Sequence, residues 1–308
     1  MEKLFIIDGG AGRAIASIPA LLKYAKKHDD FAILVHGWDT LFWGIPELQD
    51  KVFNPEQKGI FDQVVSKAEE IISPEPYRVP GYFKQEKSLA EAFDYLINNT
   101  DDHSDLTPPV LKTSKMEEIN AAGLLIDAKK QQQKQKTIVL QPFGRSMQKH
   151  QTGVLVDESS RSLDPDSYLR LVKKLSTKFN LVLMADQQFF IEEDTYTLKP
   201  TVDLRMWVPF IGAADYFIGV DSAGQHIARA LGIPGTVIVG STFAINTTYP
   251  DYFNIVEKED AKKYSPIRIS GLESHLADRA NDTLMDFSDD QINKIYANIL
   301  KDIEKKVK

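Results

Sequence analysis

The chain has 308 residues, of which 43% are hydrophobic and 26% charged, with a formal net charge of −7. These proportions suit a soluble globular protein of two ordinary domains or one large one. The absence of cysteine excludes disulfides, thiolate catalysis and Cys-ligated zinc, and the acidic balance argues against non-specific nucleic-acid binding, which wants a basic face.

The first segment, MEKLFIIDGG, enters a short apolar strand with no basic stretch or long apolar core before it. A secretory signal is not expected. No apolar run is long enough for a membrane span, so a cytoplasmic protein is the expectation. KLFIID (Lys3–Asp8) reads as a buried strand followed by a glycine-rich turn. Ile15, Ile18, Leu21, Leu22 and Ala25 then recur at helical spacing, with Pro19 as a kink or first-turn residue. FAILVHGW (Phe31–Trp38) is a second strand, and strand–helix–strand marks a parallel sheet. Ile60, Val64, Val65, Ala68, Ile71 and Ile72 give a mixed helical pattern. SLAEAFDYLINN predicts an amphipathic helix, and Ser114 with Glu117 forms a capping box ahead of another. The glutamine-rich run Lys129–Lys136 reads as an interdomain linker.

Beyond it a second alternating unit begins. TIVLQPF, NLVLMAD, YFIGVDS and GTVIVG read as strands, with helices between them in DPDSYLRLVKKLSTKF, DLRMWVPFIGAA and GQHIARALG. A final helix follows the Ser288 cap, with Ile292, Ile295, Tyr296, Ile299 and Ile303 on one face. The whole is α/β, a doubly wound pattern. In such sheets ligands sit beyond the carboxyl ends of the strands. That singles out Asp8–Arg13, His36–Thr40, Gln141–Met147, Ala185–Gln188, Asp221–His226 and Gly240–Asn246.

Three of these stretches bear chemistry. In DGGAGR, Gly9, Gly10 and Gly12 make either a tight turn or a floor that a ligand can approach, and Asp8 beside it is a candidate general base. The dinucleotide fingerprint fails, because Ile15 stands at the third small position and no acid ends the second strand. In QPFGRSM, Arg145 and Ser146 either meet a phosphate or lie in a solvated loop, and Arg161 has the same two readings. In DSAGQH, Ser222 caps a helix whose first amides, at Ala223, Gly224 and Gln225, suit an anion, with His226 as a further donor. The other reading is a structural cap with a satisfied histidine. Asp221 suits orienting amides or a ligand hydroxyl better than touching phosphate. Trp38 and Trp43 bracket a loop whose aromatic faces suit a sugar, a base or the core. The six histidines show no HxxxH or HExxH spacing, so no metal is expected.

The stretch DLRMWVPFIGAADYFIGVDSAGQHIARALGIPGTVIVGST resembles the heptosyltransferase-like inverting glycosyltransferases, glycosyltransferase family 9, on Asp221, Ser222, His226, Ala230, Leu231, Gly232, Pro234, Gly240 and Thr242. Ala223 stands where the family has its first glycine. GAGRAIASIPALLKYAKK is similar to the family's N-terminal segment at Gly12, Pro19, Ala20 and Leu21, and TIVLQPFGRS to the opening of its donor-binding domain.

The resemblance implies a GT-B fold: two Rossmann-like α/β domains facing a cleft, with the C-terminal helix packing back toward the N-terminal domain. Residues 1–133 would form the acceptor-binding domain and 134–308 the nucleotide-sugar-binding domain. It implies sugar transfer with inversion from a nucleotide-diphosphate donor, a co-substrate rather than a cofactor, to a saccharide or other hydroxyl. Donor contacts would come from Arg145, Ser146, Arg161, Asp221, Ser222, Ala223, Gly224, Gln225, His226 and Thr242. Acceptor contacts would come from Gly9, Gly10, Gly12, Arg13, Trp38 and Asp39. The family carries its base after Gly12, where this chain has Arg13, which is no base at neutral pH. Asp8 replacing it, Asp39 replacing it, or loss of transfer are the three readings. A non-catalytic nucleotide-sugar-binding protein and a transferase acting on a modified nucleic acid base are the alternatives, nucleic acid entering only as acceptor.

Overall fold

A computed structural model describes residues 1–144, 147–151, 153, 155–157, 159, 161–185, 196–197, 203–263 and 284–307. In the N-terminal half, β1 (Lys3–Ile7), β2 (Phe31–Val35), β3 (Val52–Phe53) and β4 (Glu70–Ile72) form a parallel sheet in the order β3-β2-β1-β4. The apolar run of β2 is buried throughout, as a central parallel strand must be when both sheet faces are covered. The turns begin earlier than expected, because Asp8 and His36–Trp38 lie beyond the strands. α1 (Ala11–Ala25) keeps Pro19 inside it and buries almost its whole surface. It packs between this sheet, α4 (Leu89–Asn98) and the C-terminal half, so no face of it needs to be polar.

The helical pattern expected over Ile60–Ile72 is largely overruled. Only α2 (Ile60–Gln63) and a 3₁₀ turn at Val65–Lys67 are helical. Ile71 and Ile72 instead join β4, in register with Leu4 and Phe5. α3 (Pro80–Phe83) and α4 follow, then α5 (Lys115–Gln132) behind its Ser114–Glu117 capping box. The first four residues of the run read as a linker, Lys129–Gln132, form the last turn of α5. Gln132 is tied to β8 (Asn180–Leu183) through both polar atoms of its amide, at 3.0 and 2.8 Å from the Leu181 backbone.

The C-terminal sheet is also parallel. It comprises β5 (Thr137–Gln141), β8, β9 (Tyr196–Thr197), β10 (Tyr216–Val220), β11 (Gly235–Val239) and β12 (Asn254–Glu257), ordered β12-β11-β10-β5-β8-β9. Its helices are α6 (Pro165–Leu175), α7 (Leu204–Gly212), α8 (Ala223–Ala230), the short α9 (Ala244–Thr247) and α10 (Asp289–Lys306). An antiparallel ribbon, β6 (Met147–Lys149) with β7 (Leu155–Asp157), follows β5. The α/β expectation holds.

The packing expected of the last helix does not. Ile292, Ile295, Ile299 and Ile303 of α10 share a core with Leu171, Leu175 and Ile218, all in the C-terminal half. Arg170 of α6 binds Asp289 at 2.9 Å, and Tyr216 of β10 binds Asp302 at 2.6 Å. The apolar stripe of α10 is used up on its own sheet, so it does not return to the N-terminal half.

Candidate active site

Chain order places a crevice in each sheet. In the C-terminal sheet the connections run outward in opposite directions from β5 and β10, so the switch point lies between the ends of these neighbouring strands. Gln141 ends β5, and its side-chain oxygen accepts a 2.8 Å hydrogen bond from the Gly224 amide in the first turn of α8. A Cβ on Gly224 would lie 2.3 Å from that oxygen and 2.8 Å from the Phe217 ring. Gly224 thus admits Gln141 and Phe217, and its amide, expected to face a ligand, is already bound.

Asp221 is buried, and its carboxylate accepts from Gln225 Nε2 at 3.1 Å and Thr242 Oγ1 at 3.0 Å. Burial pushes the Asp221 carboxyl up, against the pull of the Arg161 charge and these hydrogen bonds. Asp221, Gln225 and Thr242 are therefore mutual partners that shape the strand-to-helix turn. Gln225 also donates to the Thr247 carbonyl at 3.0 Å. Ser222 occupies the N-cap of α8 without a side-chain capping bond, next to the partly buried Ala223.

Arg161 is brought to this turn by residues that the sequence did not flag. Buried Asp157 accepts from the Ser162 amide at 2.9 Å and its hydroxyl at 2.5 Å, and Ser162 Oγ accepts from the Gly144 amide at 2.8 Å. Ser241, beyond β11, donates to the Ser159 carbonyl at 2.7 Å. The Arg161 charge acts on Asp221, His226 and Tyr82, so these four groups share one electrostatic environment. Arg145, Ser146 and 186–188 lie outside the described residues.

His226 is 5% exposed and its Nδ1 lies 2.8 Å from the Tyr249 hydroxyl. Burial, and secondarily the Arg161 charge, pushes its pKa down to about 4, so it is neutral at pH 7. Its opposite edge meets the other half of the molecule: a Cβ on Gly12 would lie 2.8 Å from His226 Cδ2 and 3.0 Å from Nε2. Gly12 is thus required by the contact between α1 and α8. We expect Gly12→Ala to cost about 1–3 kcal/mol by overpacking, and to become nearly neutral in a His226→Ala background. A thermal-unfolding double-mutant cycle measures the coupling.

The depressed His226 pKa also predicts acid sensitivity. Folded His226 stays neutral while the unfolded residue takes a proton below 6.5, so stability present above pH 6.5 is lost as pH falls toward about 4. The loss is about 3 kcal/mol, and the raised Asp221 pKa offsets part of it, because that acid is neutralised more readily in the folded chain. Urea titrations across this range should show a shallower fall in His226→Gln than in the parent protein.

The N-terminal crevice, between β1 and β4, is occupied by Arg13. The side chain is 4% exposed, and its guanidinium binds Asp8 Oδ1 at 2.9 Å and Glu75 Oε1 at 2.8 Å. It stacks over Tyr77 at 4.8 Å and lies near Phe93 at 5.8 Å. Glu75 also accepts from the Tyr77 amide. Two carboxylates thus neutralise Arg13. Asp8 remains 48% exposed at the turn, beside the exposed Gly9 and Gly10. Trp38 is partly buried and donates from Nε1 to the Gly9 carbonyl at 2.9 Å, so it braces this turn. Asp39 accepts from Asn54 at 3.0 Å.

Asn246 and Arg205 tie the halves further through polar contacts. Asn246 donates to the Tyr82 and Lys87 carbonyls at 2.7 and 2.9 Å. Arg205 of α7 binds Glu117 at 2.7 and 3.1 Å and the carbonyls of Lys112 at 2.6 Å and Thr40 at 3.1 Å. A continuous apolar cluster also runs from Phe5 and Ile15 to Phe217 and Val237. The first turns of α1 and α8 therefore meet across one packed interface, with Gly12 against His226. No group of three or more His, Asp or Glu suited to a metal occurs among the described residues. None of the described helices is long and apolar enough to cross a membrane.

No family model and no curated protein matches the sequence. Solved structures do match. Escherichia coli ADP-heptose LPS heptosyltransferase II is similar over 98% of this chain and 99% of that one, with a TM-score of 0.63 at 13% identity. A glycosyl transferase family 9 protein from Veillonella parvula DSM 2008 gives 0.68 at 10% identity, over 97% and 98%. The iron-containing dodecameric heptosyltransferase TibC of enterotoxigenic E. coli H10407, solved with ADP-D-β-D-heptose, gives 0.59 at 13%, over 99% and 76%. The chain has the fold of these heptosyltransferase-like glycosyltransferases.

Proposed function

We propose that the chain is a glycosyltransferase that moves a sugar from a nucleotide-diphosphate donor to an acceptor hydroxyl. The observation that carries this reading is the meeting of two strand-end turns across the interface, Asp8–Arg13 from one half and Asp221–His226 from the other. Heptosyltransferase II is named for ADP-heptose and TibC is solved with it, which supports a nucleotide-diphosphate sugar here. Residues 1–133 would carry the acceptor and 134–308 the donor.

In the proposed step the acceptor hydroxyl lies over Gly9–Arg13, and its proton passes to the Asp8 carboxylate as its oxygen attacks the anomeric carbon. The bond from that carbon to the diphosphate breaks, and the electron pair leaves on the phosphate oxygen. In-line attack inverts the anomeric centre. The Arg161 guanidinium, the N-terminus of α8 at Ser222 and Ala223, and a donor N–H of His226 offset the charge of the leaving diphosphate. The scheme requires no metal. Asp221 and Thr242 hold the turn from behind. Arg145 and Ser146 complete the donor set in the proposal.

The test is donor binding. Titrating the full chain with ADP-, GDP- and UDP-sugars in a calorimeter should find one class that binds, with affinity lost in Arg161→Ala. Failure of every nucleotide to bind would sink the reading.

A further inference from the structure

Tyr249 follows α9, and the sequence reading assigned it no part. Its hydroxyl stands 2.8 Å from His226 Nδ1, with the two rings edge to face at 5.5 Å. The phenol ring is held by Phe253 at 6.1 Å and by the Arg229 guanidinium at 5.8 Å. Arg229 in turn sits 4.3 Å over Tyr252.

Two proton arrangements satisfy this contact. In one, the phenol donates to an unprotonated Nδ1. In the other, Nδ1–H donates to the phenol oxygen and the phenol hydrogen needs a second acceptor. Among the described residues the Tyr249 hydroxyl makes this one hydrogen bond. An unsatisfied hydroxyl in such surroundings is costly, so the first arrangement wins. Burial raises the Tyr249 pKa and lowers that of His226, so both groups are neutral at pH 7 and the second ring nitrogen carries the imidazole hydrogen.

We propose that Tyr249 is a positioning residue that fixes His226 as the Nε2–H tautomer and thereby aims a neutral N–H donor at the meeting point of α1 and α8. The inference rests on the donor reading above, and makes the leaving diphosphate the acceptor of that hydrogen. The ring edge opposite Tyr249, which carries that hydrogen, is the one set against Gly12. A neutral donor at this point adds no charge to the donor site, which leaves the cationic part to Arg161.

The experiment uses the full chain labelled on histidine imidazole nitrogens, with the His226 signals assigned by their loss in His226→Gln. In the unliganded parent protein at neutral pH, NMR should show a protonated Nε2 and an unprotonated, hydrogen-bonded Nδ1. In Tyr249→Phe the Nδ1 resonance should move away from its hydrogen-bonded position. ADP affinity should fall by at least about tenfold, as expected when a hydrogen bond to a charged group is lost. A protonated Nδ1 in the parent protein, or His226 resonances unchanged in Tyr249→Phe, would overturn the inference. So would a changed resonance with unchanged ADP affinity. The parent spectrum alone decides the tautomer if the variant does not fold. If ADP, GDP and UDP all fail to bind the parent protein, the donor reading fails, and the role assigned to Tyr249 toward the diphosphate falls with it. The unliganded spectrum still reports the tautomer separately.

Discussion

Replacing Asp8 with Asn is expected to lower the transfer rate by about 10²–10⁴-fold, the usual contribution of a general base, while nucleotide affinity is retained. The amide keeps the size of the carboxylate but cannot take the acceptor's proton. The substitution also removes one of the two anions on Arg13, so a control is needed. Glu75→Gln removes the other anion, which accepts from the same guanidinium at 2.8 Å, but leaves Asp8 in place. Both variants should lose stability in urea, because each leaves the buried Arg13 with one negative charge fewer beside it. Only Asp8→Asn should lose turnover to this extent. Turnover that survives Asp8→Asn unchanged would remove Asp8 as the base and direct attention to Asp39.

Arg205→Ala is expected to cost about 1.5–3 kcal/mol, the range for losing charge-assisted hydrogen bonds from a buried donor, because its partner Glu117 keeps 26% of its side chain exposed. Arg205 is 7% exposed, and it ties α7 to α5, to the Lys112 carbonyl and to the Thr40 carbonyl. Its guanidinium lowers the Glu117 carboxyl to about 2, ahead of the capping bonds from Ser114. Glu117 therefore contributes stability that is present above pH 4.5 and lost as pH falls toward 2. The parent protein should weaken across that window, and Arg205→Ala should weaken much less there. Urea midpoints at the two ends of the window make the comparison.

The parts of this molecule that could be read from sequence are those with a local physical signal. Strands such as FAILV and TIVLQ are short apolar runs because both faces of a parallel sheet are covered. Ser114 and Ser288 cap helices by reaching the amide three residues on, a contact contained in four letters of sequence. Edge strands carry no such signal. Val52–Phe53 is two residues long, and Ile71–Ile72 looks helical until Leu4 and Phe5 are placed beside it. The fate of the last helix was illegible for a related reason: its isoleucine stripe shows that it packs, not on what.

The candidate site divides in the same way. Glycines 9, 10, 12 and 224 were conspicuous, but what they accommodate was not. Gln141 lies 83 positions from Gly224, Tyr249 lies 23 from His226, and Arg205 lies 88 from Glu117. The first two pairs form beyond the carboxyl ends of neighbouring parallel strands, and the third joins helices of the two halves. Arg13 was legible as a cation where the resembling family carries an acid. That it would be neutralised by Glu75, 62 positions away, depends on β4 lying next to β1.

In the function proposed above, the two meeting turns transfer a sugar from a nucleotide diphosphate. The direct measurement is nucleoside diphosphate release from ADP-, GDP- and UDP-sugars incubated with the full chain, with and without a mixed saccharide acceptor. Release from one donor class, faster with acceptor and strongly reduced in Asp8→Asn, is the predicted result. A donor that binds and is returned intact under every condition would contradict it, and would make the chain a nucleotide-sugar-binding protein on a transferase scaffold.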